Sequence, residues 1–178
     1  MCRYAMIAYK PHYACFDCQK TFKRRLWVDI KKGTKVDTVA KCPQCGSIMA
    51  NMGKDFEAPK KGDNKAWQHI KDLFIVGITW HSCGCTGPGY IPKDKTALLL
   101  YLEEIIQNYQ KELLFWRSRV EPETKQDKIK DEQRNWHKYG VIRPNRKKET
   151  ITNAEGIAHW INKIKDVELM IVKVKEGK

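Results

Sequence analysis

Apolar and polar positions alternate over residues 22–31, where Phe22, Leu26, Val28 and Ile30 are interleaved with Lys23, Arg25, Trp27, Asp29 and Lys31. A period of two predicts a β-strand with one buried face, although Arg24 falls on the apolar side. Lys32-Gly33-Thr34 reads as a turn, Gly33 being free to take a positive φ, and Val36 to Ala40 returns as a second strand towards Cys42. From residue 63 the spacing becomes helical. Asp63 or Asn64 can cap a helix carrying Trp67, Ile70, Leu73 and Phe74, which stops near Gly77. Ile78 to Trp80 fits a brief strand. Past the glycine- and proline-rich run from Gly84 to Pro92, a long helix over 94–119 presents Leu98, Leu102, Ile105, Ile106, Tyr109, Leu113 and Trp116. It ends before Glu121-Pro122, because the residue ahead of a proline is pushed out of the helical region.

Residues 123–139 predict a further helix with only Ile129, Trp136 and Tyr139 to bury; so polar a helix is either a solvated arm or is ordered by a partner. Thr152 and Glu155 have capping-box spacing ahead of Ile157, Trp160, Ile161 and Ile164. Val167 to Lys175 reads as a closing strand with Met170, Val172 and Val174 on one side. The pattern predicts an α+β fold. A β-rich module over residues 1–62 precedes a mostly helical domain over residues 63–178 with a C-terminal strand.

No apolar window approaches the roughly 20 residues of a membrane span, and Met1 to Lys10 is too polar for the core of a signal peptide. The expectation is a cytoplasmic protein with no membrane partner, where seven cysteines point to metal or free thiols before disulfides. Four of them carry a definite pattern. Cys15-Phe-Asp-Cys18 and Cys42-Pro-Gln-Cys45 are two CxxC knuckles with 23 residues between them. The tight turn of each knuckle aims two sulfurs the same way, and two knuckles complete a tetrahedron around one ion at about 2.3 Å per bond. Pro43 stiffens the second turn, and Gly46 can supply an unusual φ just after it. Zn²⁺ is the expected cofactor, and iron is chemically compatible with the same ligands. A closed set of four thiolates has no open coordination position, so the site is structural.

The pattern CFDC…CPQCG resembles the zinc-ribbon superfamily, with its rubredoxin-like four-cysteine ribbon; members often contact DNA, RNA, polymerases or ribosomes. Met52-Gly-Lys-Asp-Phe-Glu-Ala-Pro-Lys-Lys61, with the later run HSCGCTGPGY, is similar to uncharacterised bacterial zinc-ribbon proteins. On this resemblance residues 1–62 form an N-terminal zinc ribbon.

Charge sharpens the picture. Thirty-four Lys and Arg against twenty-one Asp and Glu leave a formal +13. Residues 1–62 hold thirteen of the bases and five of the acids, a net of +8 in the cysteine-bearing third. Such an excess favours polyanions or anionic membrane surfaces. In the predicted strand, Lys23, Arg25, Trp27 and Lys31 share one side, and cations interleaved with an aromatic ring suit single-stranded nucleic acid. Equally, Trp27 could pack beneath the neighbouring domain while the lysines face water. Arg143, Arg146, Lys147 and Lys148 form a basic loop over 143–148, a second candidate contact for RNA, though most like-charge runs are simply solvated.

His81, Cys83 and Cys85 alternate, so an extended segment would aim all three to one side, and Cys2, or less readily His12, could complete a second metal set. The competing account is small cysteines packed in a glycine-rich loop. A catalytic thiol would need a base such as His81, yet no recognisable catalytic constellation accompanies it. The reading is therefore a non-catalytic protein that binds RNA, the ribosome first, with DNA as the close variant. A protein–protein adaptor and a thiol- or metal-dependent enzyme centred on Cys83 and Cys85 are the alternatives.

Overall fold

The computed structural model of the protein describes residues 10–24, 39–82, 87–142 and 151–177. Three short strands, β1 (His12–Cys15), β2 (Lys20–Lys23) and β3 (Ala50–Gly53), form an antiparallel sheet in the order β2-β1-β3. Cys15 lies opposite Lys20 and Ala14 opposite Ala50, with a register shift between His12 and Tyr13. Of the strand expected over residues 22–31 only Phe22 and Lys23 fall in β2, which ends ahead of Arg24, and residues 25–38 lie outside the described residues. Gly53 closes the sheet against the chain beyond the first helix. Its φ is +92°, and a Cβ there would come within 2.4 Å of the Trp80 carbonyl. The expected strand at Ile78 to Trp80 is reduced to one parallel bridge, Trp80 N–H donating to the Met52 carbonyl at 2.8 Å.

Helix α1 (Asn64–Ile75) starts where Asp63 accepts a hydrogen bond from Ala66 N–H at 3.0 Å. It stops at Gly77, whose φ of +81° lets Gly77 and Ile78 N–H return to the Phe74 and Leu73 carbonyls. Its Trp67 and Ile70 share a core with Ala14, Ala50, Met52 and Phe56, so the sheet buries one face against this helix. Helix α2 (Lys95–Ser118) is capped by Asp94 and buries Leu98, Leu102, Leu113 and Trp116, as its stripe predicts.

Two expectations are corrected. The polar stretch after Pro122 is two helices, α3 (Lys125–Arg134) and α4 (Trp136–Ile142), with Asn135 at φ −113° breaking the run. Of its three candidate core residues only Tyr139 is buried; Ile129 and Trp136 are exposed. The C-terminal strand is absent. Residues 153–176 form one helix, α5 (Asn153–Glu176), with Trp160, Val167 and Val174 buried and Val172 exposed, a seven-residue spacing that no strand produces. The Thr152–Glu155 capping box opens it, Thr152 N–H donating to Glu155 Oε2 at 2.9 Å and Glu155 N–H to Thr152 Oγ1 at 3.3 Å. The fold class is α+β, with its cysteines clustered at the N-terminal sheet.

The chain divides into two compact units, one running through Leu98 and resuming at Lys173, the other spanning Leu99–Val172. The second has its own core of Leu113, Trp116, Tyr139, Ile151 and Trp160.

Candidate metal centre

Strand β1 delivers Cys15 at its last residue, and the turn that follows carries Cys18. Gln19 completes that turn with a φ of +51°, which returns the chain antiparallel as β2. The second knuckle is built the same way. Lys41 bridges Ile48 across it, Cys42 N–H donates to the Ser47 carbonyl at 2.8 Å, and Gly46 N–H to the Cys42 carbonyl at 2.9 Å. Gly46 has a φ of +78°, the left-handed turn that a side chain would oppose.

The two knuckles meet. All four sulfurs of Cys15, Cys18, Cys42 and Cys45 lie within 4.8 Å of one another. Cys15 Sγ is 3.5 Å from Cys45 Sγ, and Cys42 Sγ is 4.0 Å from Cys18 Sγ. A tetrahedral ion with bonds of about 2.3 Å needs sulfurs about 3.8 Å apart, so the cluster has the size of a tetrathiolate site. It is too open for a disulfide, and all four are free thiols. Cys15 and Cys42 are buried with Met49, while Cys45 is exposed, so the site sits at the edge of the sheet's core. Gln44 N–H points at Cys42 Sγ at 3.4 Å, an amide-to-sulfur contact within the second knuckle.

Without a cation the cluster resists full ionisation. Ser47, through its hydroxyl and then its backbone N–H, holds Cys45 down to about 6. The hydrogen bond to Cys45, and then burial, push Cys18 up to about 12. Burial raises Cys15 as well. Cys45 therefore ionises first, while Cys15 and Cys18 hold their protons until a metal displaces them. The four ligands fit a structural ion and leave no position for a reacting water.

Among the described residues no other group of three or more His, Cys, Asp or Glu is placed to hold a metal. Lys23 is exposed at the end of β2, and His81 is exposed just beyond the Trp80 bridge. Cys2, Arg25, Trp27, Lys31, Cys83, Cys85, Arg143, Arg146, Lys147 and Lys148 lie outside the described residues. No helix among those described is long and apolar enough to cross a membrane.

Sequence patterns missed one polar centre in the second unit. Arg119, just past α2, donates to Asp131 Oδ2 at 2.7 Å from Nη2 and 3.2 Å from Nε, to Asn153 Oδ1 and to the Tyr139 hydroxyl. Its guanidinium also lies 5.3 Å from the Trp116 ring centroid. These partners lie between 12 and 34 residues away along the chain, and no local spacing announces them. Compared with known proteins, the chain matches no family model, no curated protein and no solved structure.

Proposed function

We propose that the chain is a non-catalytic zinc-ribbon protein that binds RNA, on the ribosome in the first instance, within the cytoplasm. The observation that carries this reading is the closed cluster of four thiols set in the most basic third of the chain. Such a centre holds two turns together and performs no chemistry, so the work falls to the surface it braces. Around the ribbon, Lys10, Lys20, Lys23, Arg24 and Lys41 stand against a single acid, Asp17, over residues 10–24 and 39–53. All of these cations but Lys20 are exposed, and Lys20 Nζ is bonded to Gln44 Oε1 at 2.6 Å, beside the second knuckle.

The test is affinity for single-stranded RNA as a function of salt. Counterion release makes binding through several phosphates fall steeply between about 50 and 200 mM. Reversing Lys23 and Arg25 to Glu is expected to weaken binding far more than reversing Lys163 and Lys165, exposed on α5. Equal losses would leave only diffuse charge and end the case for a ribbon surface; equal affinity for single-stranded DNA would move it to the DNA variant. Native mass spectrometry identifies and counts the ion. One zinc per chain, lost in Cys42→Ser, is expected, iron being the alternative outcome. A second ion lost only in Cys83→Ser would assign His81, Cys83 and Cys85 to a second site.

A further inference from the structure

Beside the metal centre an apolar groove of about 270 Å³ is lined by Phe16, Ile48, Met49, Ala50, Phe74 and Ile75, with Lys71 the one charged group among its walls. Phe16 comes from the first knuckle and Ile48 from the bridge that closes the second. Phe74 and Ile75 close the other side from α1, three and four residues beyond Lys71, which puts all three on one helical face. The Phe16 and Phe74 rings lie 5.9 Å apart at 50° and form its aromatic wall. Its rim is open: Ile48 is 71% exposed and Phe74 36%.

We propose that this groove is a docking site for a partner polypeptide that inserts one large apolar side chain and places an Asp or Glu beside it. Three observations select that occupant. The volume falls below the roughly 300–1,000 Å³ of small-molecule pockets, and a single anchoring side chain is what a cleft of this size receives. The walls offer a nucleotide base almost nothing to hydrogen-bond, so burying one would strip its polar edge of water without replacement. The cations complement an acid. Lys71 lines the groove, and Lys41 is the cross-strand partner of Ile48, which sets it on the same side of that bridge. Asp17, next to Phe16, is the one acid over residues 10–24 and 39–53 and leaves the balance positive.

The proposal is tested by selecting random short peptides displayed on phage against the zinc-loaded full chain, then synthesising the enriched sequences for fluorescence polarisation. Enriched peptides are expected to share one Phe, Leu, Ile or Trp next to Asp or Glu. Ile48→Ser and Phe74→Ser should each weaken them roughly tenfold, the size of one lost anchor. Lys71→Glu should weaken them too, and a peptide with its acid changed to Lys should regain affinity for that variant alone. Both apolar positions are at least partly exposed, so the variants should keep zinc content and circular dichroism unchanged; Ile48→Ser, at the more exposed position, decides the matter if Phe74→Ser does not fold. No enrichment, or enriched peptides indifferent to Ile48→Ser and Lys71→Glu, overturns the proposal. So does a loss of RNA affinity in Ile48→Ser as large as the loss of peptide affinity, which would give the groove to nucleic acid.

Discussion

Gly156 sits in the first turn of α5, where a Cβ would lie 2.2 Å from Cδ2 of the Trp116 ring. Trp116 cannot retreat. It is fully buried, with Tyr139 at 5.6 Å and Phe115 at 5.5 Å between ring centroids and Arg119 over its face. In a solvent-exposed helix, Gly→Ala would stabilise by up to about 1 kcal/mol through backbone entropy. Here overpacking, at about 1–3 kcal/mol, opposes and exceeds that gain. Gly156→Ala should therefore lower the urea midpoint. Gly140 in α4 has open space around its would-be Cβ, and Gly140→Ala should raise the midpoint. Midpoints that move the same way in both variants would refute the assignment of the ring contact. The sequence shows a glycine in or beside a helical stretch in both cases and cannot separate them, because the atom that decides for Gly156 belongs to a residue forty positions away.

Between elements, the Arg119–Asp131 pair ties the end of α2 to α3, with the Tyr139 hydroxyl of α4 donating to the same carboxylate. Burial alone would raise the Asp131 pKa. The hydrogen bonds from Arg119 and then Tyr139 outweigh it and hold the carboxyl below its ordinary value. A folded pKa below the unfolded value of about 3.9 contributes stability above that pH, lost as the pH falls through the folded value. Asp131→Asn should therefore lower the unfolding free energy at neutral pH by on the order of 1–3 kcal/mol, since the donors are left with a weaker acceptor, and with it the urea midpoint. The gap to wild type should shrink as the pH drops below about 4. A gap constant from pH 7 to the acid limb would mean that the ionised carboxylate contributes nothing. At this scale the sequence was legible wherever a local signal sets a boundary. Asp63, Thr152 and Gly77 all act as the cap or stop their spacing implies. It misled at residues 167–175, where Met170, Val172 and Val174 satisfy a period of two. Over the whole helix, Trp160, Ile164, Val167, Ile171 and Val174 recur at spacings of four and three, and the β-branched residues are accommodated on that stripe.

At the scale of the whole molecule, the four-cysteine site was the most readable feature, because metal ligation depends on spacing within each knuckle and needs only one long-range event, the meeting of the two. The groove was not readable, since Phe16, Ile48 and Phe74 become neighbours only after that meeting. The same dependence makes metal removal a test of how the fold is held. Cys15 and Cys42 are buried with Met49, and the adjoining strands place Ala14, Ala50 and Met52 in the core that Trp67 and Ile70 of α1 complete. A sheet of three four-residue strands is too small to keep that arrangement on its own, and the binding free energy of an ion held by the four thiols would become folding free energy for the sheet. The core of Leu113, Trp116, Tyr139, Ile151 and Trp160 contains no cysteine and lies in the other compact unit. Stripping the metal with a chelator under reducing conditions should therefore unlock amide exchange at Ala14, Ala50 and Met52 and loosen α1. It should leave most of the helical circular dichroism, which comes from α2 to α5, in place. Zinc added back should restore slow exchange in wild type and fail to do so in Cys42→Ser. Retained slow exchange in the metal-free sheet would show that it folds without an ion at the four thiols. Collapse of the entire helical signal would show that the two units are one cooperative body, and either result would overturn the account of a metal that organises the cysteine-bearing sheet alone.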